Sequence, residues 1–412
     1  KTKSIGPNNQ QRMLMLMTTM FFTWMLFPLA LFLCIADAFE VPFPPSAAEI
    51  RASAVVSTPS GPPLPTCVTQ QLLFGSGTKA EVISCLPPLF ESSTGFGETF
   101  FSSLFGTSAG NDENPRYKYD KPVLAFLHGS FHASWCWSEK YMPYFASLGY
   151  PCVAFSLQGT GGTPTVEEGA KKVRIASHVA DLDAFLGGLS DDDDDNLGLE
   201  LGENPPIVLL GHSFGGITVM KWLEQYYAEG ERNNADRQNI NLAGVSVMCS
   251  VPPSGNGKLT MRYLRRSLLD SWKITSGFVM KRAITSKENC RDLFFGGADN
   301  ENGVSDEDIE RYQGFFLRDT IATIDLIDLG KQLPSAKADV QSGRAPFVDR
   351  LPSKPLVIGA RDDFIVDEEA CRESARYLGL ESPVFVDSPH DIMLGKTWKN
   401  GADAILEWLE GF

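Results

Sequence analysis

The sequence predicts an α/β fold in which a mostly parallel, eight-stranded sheet carries helices on both faces. Three observations carry this. Short apolar runs of strand length, such as Pro122-Val-Leu-Ala-Phe-Leu127 and Pro206-Ile-Val-Leu-Leu210, alternate with segments of helical period. These runs are apolar throughout, as strands covered on two sides must be. One of them breaks directly into Gly211-His-Ser-Phe-Gly215, and Gly216 to Gln225 then reads as a helix. Strand, cramped turn and helix follow one another without a linker.

Taken in order, Met13 to Ile35 is almost wholly apolar, follows Arg12, and ends at Ala36-Asp37-Ala38. Those three parts make residues 1–38 a secretory signal peptide. The rival reading is an uncleaved membrane anchor, since the stretch is long enough to span a bilayer. Residues 39–65 are rich in Ser, Pro and Ala and read as a disordered leader. The ordered domain, 66–412, is expected to settle into structure near Gln70. Gln71 to Phe74 and Ala80 to Cys85 flank Gly75-Ser-Gly-Thr78, a hairpin signal. Residues 89–119, rich in Ser, Gly and Phe, read as a surface insertion.

Pro151 to Leu157 is a further strand, and Arg174 to Leu186 has helical period. Asp191 to Asp195 is a run of carboxylates that reads as a solvated loop. Leu242 to Ser250 is another strand. Residues 254–350 carry helical pattern with no strong strand and are expected to form a cap over the sheet. Within them Ser305 reads as the N-cap of a helix. Lys354 to Gly359 and Pro383 to Asp387 complete the eight strands, and Gly401 to Phe412 closes the chain as an amphipathic helix.

The composition of 412 residues is globular, with 43% hydrophobic and 21% charged residues. A formal net charge of −15 without a Lys/Arg block excludes nucleic acid as a partner. The eight cysteines form no CxxC pair, so neither a zinc site nor a disulfide framework is implied, although Cys67 and Cys85 are free to pair.

Gly211-x-Ser213-x-Gly215 is the pattern of a nucleophile elbow. The serine must sit on a tight turn with its hydroxyl clear of the sheet. Glycines two residues either side remove the Cβ atoms that would collide there. A serine hydroxyl is a weak nucleophile and needs a base, itself held by an acid. Of five histidines, His390 lies just past the last strand, where such a base belongs. The acid should follow the preceding strand, where Asp363 is preferred over Asp362 because Val366 lies three residues beyond it. The order Ser213, Asp363, His390 completes the constellation. Attack on a carbonyl also needs oxyanion donors. The amide of Phe214 opens the elbow helix, and Ser130 follows Gly129, which allows close backbone approach. His128 reads as a structural tie for that loop, and Gly159-Thr-Gly-Gly162 as a second flexible edge. This chemistry calls for no metal and no cofactor.

On His128-Gly129, Gly159-x-Gly-Gly162, the elbow, Asp363 and His390, residues 120 to 410 resemble the α/β-hydrolase superfamily in its group of esterases and lipases. The loop His128 to Trp137 resembles that of plant methyl-ester esterases and hydroxynitrile lyases. The chain is also similar to plastid-type α/β-hydrolases of plants and algae. Ala38-Phe39 resembles the cleavage point of the two-part plastid presequence of algae with secondary plastids. The resemblance implies a serine esterase with Ser213, Asp363 and His390 as its triad. Epoxide hydrolases and haloalkane dehalogenases share the fold but carry Asp at the elbow, so Ser213 argues against both.

A small-molecule ester, lipophilic if the cap rings line its site, is the expected substrate. Trp272, Phe278, Phe294, Phe295, Phe315 and Phe316 are either such a lining or the core of the cap itself. An acyltransferase or thioesterase would use the same triad, and a low-turnover receptor would keep the fold. Plastid delivery through the secretory pathway, secretion and membrane anchoring all remain open, as does the oligomeric state.

Overall fold

The computed structural model describes residues 64–74, 79–88, 118–190, 196–199, 201–229, 240–267, 274, 281–297 and 303–411. The expected signal peptide, nearly all of the leader, the insertion at 89–117, the Asp191 to Asp195 run, Trp272 and Phe278 lie outside the described residues. Among those described, no helix is long and apolar enough to cross a membrane.

The eight expected strands form one sheet. In chain order they are β1 (Val68–Leu73), β2 (Lys79–Cys85), β3 (Val123–Leu127), β4 (Cys152–Phe155), β6 (Ile207–His212), β7 (Leu242–Met248), β9 (Leu356–Asp362) and β10 (Val384–Pro389). Their spatial order is β1-β2-β4-β3-β6-β7-β9-β10. β1 pairs antiparallel with β2, and β2 with β4, while every later pairing is parallel. The hairpin begins two residues before Gln70, with Val68 opposite Ser84. The cap contains one short strand that sequence pattern did not indicate. β8 (Thr323–Ile324) pairs in parallel with β5 (Lys172–Val173) outside the main sheet. Two residues are too few to show a period.

The apolar runs are explained by alternation across the pleat. Leu124 and Phe126 of β3, with Val208 and Leu210 of β6, enter one core layer. Val123, Ala125, Leu127, Ile207 and Leu209 enter the other. Helix α3 (Ile175–Leu189) and helix α4 (Phe214–Glu229) close the second layer through Leu182, Phe185, Met220 and Leu223. The first layer holds Trp137, which stacks on Phe126 at 4.9 Å, and Ile405 and Leu409 of the last helix. Burying a ring or large aliphatic side chain of this kind contributes roughly 1.5–3 kcal/mol. β3 and β6, sealed on both sides by such residues, therefore form a rigid floor.

The cap helices α7 (Lys287–Phe294) and α8 (Asp306–Asp319) join the first layer. Ser305 caps α8, accepting the Asp308 amide at 3.1 Å. Phe294, Phe295, Phe315 and Phe316 are all buried in the layer that α7 and α8 share with the sheet, among Trp135 and Tyr312. They thus form the core beneath the cap.

Candidate active site

Six parallel strands end at one rim, and the site residues lie just beyond those ends, where ligands bind in open parallel sheets. Ser213 follows β6 with φ +52°, a left-handed conformation that L-residues other than Gly rarely take. Its amide donates to the Met248 carbonyl at 3.0 Å, and its carbonyl accepts from Gly216 and Val251. The strained turn is therefore held from three directions. The glycines are needed for contact as well as for turning. A Cβ on Gly215 would lie 2.5 Å from the His128 carbonyl oxygen and 2.6 Å from that of Leu127. A Cβ on Gly211 would lie 2.8 Å from the Gly215 carbonyl oxygen, and one on Gly129 would lie 2.7 Å from Ser213 Cβ. Elbow and His128 loop thus meet backbone to backbone.

Asp363 follows β9, and its Oδ1 accepts the amides of Ile365 at 2.7 Å and Val366 at 2.8 Å. That fixes the carboxylate so that Oδ2 meets His390 Nδ1 at 2.8 Å. The side chains of His390 and Asp363 are 2% and 0% exposed, so their bond is shielded from water. Asp362, at the end of β9, is exposed instead. His390 is anchored a second time, because His212 Nε2 donates to its carbonyl at 2.9 Å. The His390 loop is thus tied to the residue beside Ser213. Among the described residues no hydrogen bond joins Ser213 Oγ to His390. Such bonds often tighten only when substrate binds.

His128 sets the peptide that follows it. The Leu157 amide donates to His128 Nε2 at 3.0 Å, so Nδ1 carries the proton and donates to the Gly129 carbonyl at 2.8 Å. Among the described residues there are no cis peptides. With the Gly129 carbonyl pulled toward His128, the Ser130 N–H of the same peptide plane points the opposite way. Phe214 opens α4, so its N–H has no carbonyl one turn back to accept it. Ser130 and Phe214 both line a cavity of about 40 Å³, together with Gly129, Gln158, His178 and Thr218. That is room for one or two waters. The four cap phenylalanines do not line it. The Gly159 to Gly162 edge is pinned, because the Gly161 amide donates to Asp319 of α8 at 2.8 Å.

His132, which sequence reasoning left without a role, is buried beside this group and hydrogen-bonded to Asp391. The two are 259 residues apart, and no spacing rule links them. One group of ligand-type side chains also lies close together. His212, Cys249 and His390 have ligand atoms within 4.8 Å. Asp363 and the His390 carbonyl already occupy one nitrogen of each ring. Burial, then the Asp363 charge, pushes the Cys249 thiol well above its ordinary range. These donors do not favour a cation.

Burial pushes His128 and His178 down to about 3, and His212 also well down, so all three are neutral in the fold. Unfolding frees them to bind protons below about pH 6.5. The unfolded chain then holds more protons, and stability falls as pH falls, by up to about 1.4 kcal/mol per histidine per pH unit. His132 shifts the other way, so its own contribution changes only above about pH 6.5, where it is lost as pH rises. Urea melts at pH 7 and pH 5 are therefore expected to give a lower midpoint at pH 5.

A serine on a strained strand-to-helix turn, with a histidine–carboxylate pair on later strand ends, defines a hydrolase of the α/β class. Residues 124–396 match the alpha/beta hydrolase family, and the chain belongs to it. Among solved structures it is similar to an esterase from Exiguobacterium antarcticum, at 12% identity and a TM-score of 0.50, covering 83% of this chain and 100% of the other. A bromoperoxidase from Bacillus anthracis gives 14% and 0.50, covering 83% and 100%. An epoxide hydrolase from Vigna radiata gives 15% and 0.48, covering 84% and 99%. At such identities the likeness concerns the fold. No curated protein matches the sequence.

Proposed function

We propose that this hydrolase cleaves a carboxylic ester through an acyl-enzyme on Ser213. The reading rests on one joint observation: the buried Asp363–His390 bond lies at the same sheet rim as a serine held at φ +52°. With Nδ1–H committed to Asp363, His390 keeps Nε2 as the basic nitrogen. Nε2 takes the Ser213 proton as Oγ attacks the ester carbonyl. The amides of Ser130 and Phe214 hold the oxyanion. The tetrahedral species collapses as His390 protonates the leaving alcohol. His390 then deprotonates water, which attacks the acyl-enzyme and frees the acid.

An ester series of rising acyl length, with and without an added alcohol or thiol acceptor, tests this reading. Release of free acid at a rate independent of acceptor supports hydrolysis. Acyl transfer to the acceptor alone would replace it with a transferase. A rate that rises with acyl length would establish a lipophilic substrate, which the cap rings do not furnish by themselves. His128→Ala should free the Gly129–Ser130 peptide to turn, lowering kcat on the order of 100-fold with KM less affected. His128→Asn, whose amide can still donate to Gly129, should retain more activity. Steady-state kinetics on a p-nitrophenyl ester reads both.

A further inference from the structure

Next to the Asp363–His390 pair lies a second histidine–carboxylate pair that the chemistry above does not use. His132 Nε2 is 2.9 Å from Asp391 Oδ2, and its Nδ1 is 2.9 Å from the Ser130 carbonyl oxygen. The side chains are 1% and 0% exposed. The Ser130 carbonyl can only accept, so Nδ1 carries a proton, and with an ionised Asp391 carboxylate facing Nε2 the ring is an imidazolium. Burial alone would lower its affinity for protons. The Asp391 charge and hydrogen bond and the Ser130 carbonyl outweigh this and raise it above its ordinary value.

The placement of the pair matters more than its charge. Ser130 supplies one of the two proposed oxyanion amides, and Asp391 follows the proposed base. The cap joins the same point. The Phe294 carbonyl of α7 accepts the Asp391 amide at 3.1 Å. The rings of Phe294 and Phe316 meet the His132 ring edge to face, at 5.7 and 5.0 Å.

We infer that His132 and Asp391 are positioning residues, one ring bridging the oxyanion loop to the loop of the base, so that the two halves of the site are set together under the docked cap. This rests on the serine-hydrolase reading above. Neither group touches the reacting atoms. The ring fixes the carbonyl of Ser130 while its partner fixes the backbone adjoining His390. A shift of about 1 Å at either end costs on the order of 100-fold in rate.

The test uses the full chain and a p-nitrophenyl ester. His132→Asn keeps a donor toward Ser130 and loses the link to Asp391. The neutral pair His132→Gln with Asp391→Asn keeps the link and loses the donor to Ser130, without stranding a buried charge. Each is expected to lower kcat about 10- to 100-fold with KM within about threefold. Adding Asp391→Asn to His132→Asn should lower kcat no further, because the link is already broken. Circular dichroism melts separate these effects from failure to fold. The native chain, labelled with ¹⁵N-histidine, should show a histidine with both ring nitrogens still protonated above the ordinary histidine value, a signal missing in the Gln/Asn double variant. Folded variants with native kcat, or a neutral His132 in the native chain, would overturn the inference alone. A native chain without turnover would remove the enzymatic reading and this inference with it.

Discussion

Ser213→Ala is expected to abolish labelling by a fluorophosphonate and to lower ester turnover by about 10⁴- to 10⁶-fold. The size follows from the mechanism, because without Oγ no acyl-enzyme forms and only the oxyanion donors remain to assist water. Alanine takes up the same left-handed backbone at φ +52° and keeps the amide bond to Met248, so the turn should persist. Loss of label in a variant with native circular dichroism is the supporting result. Undiminished labelling would place the nucleophile elsewhere.

Asp363→Asn is expected to cost about 10⁴-fold in kcat, although it removes no bulk. Oδ1 already accepts two backbone amides, at 2.7 and 2.8 Å. An asparagine must keep its oxygen there and turn its NH₂ toward His390 Nδ1. A donor facing Nδ1 drives the ring proton to Nε2, the nitrogen that must be free to receive the Ser213 proton. The variant should fold normally and hold its histidine in the wrong tautomer. A pH–rate profile and kcat on the same ester measure this. Activity within tenfold of native would show that Asp363 does not orient the base.

Much of this was legible before any coordinates. The strands could be read because β3, β6 and β9 are buried on both faces and so carry unbroken apolar runs. Ser213 was marked by glycines that sterics require on either side of it. Asp363 was separated from Asp362 by the Val366 spacing, and the Val366 amide does bond to its carboxylate. Other features left no local trace. His132 and Asp391 are far apart in the chain, and the chemistry of their contact is visible only once β3 and β10 end at one rim. The aromatic residues of the cap satisfy a core and a pocket equally well as a pattern. Only the neighbours of Phe294, Phe295, Phe315 and Phe316 decided it. The short β8 has no period to detect, and its pairing depends on a partner about 150 residues away.

The hairpin at the margin of the sheet bears on where the chain can safely be trimmed. β1 occupies the outermost position, with Val68 50% and Leu73 64% exposed, and it covers the outer hydrogen-bonding row of β2. A version shortened to Gln70 would lose the partners of Ser84 and Ile83 and leave part of that row open. Bare strand margins recruit other chains. Versions that keep Leu64 onward should stay dispersed at concentrations where the shorter one clumps.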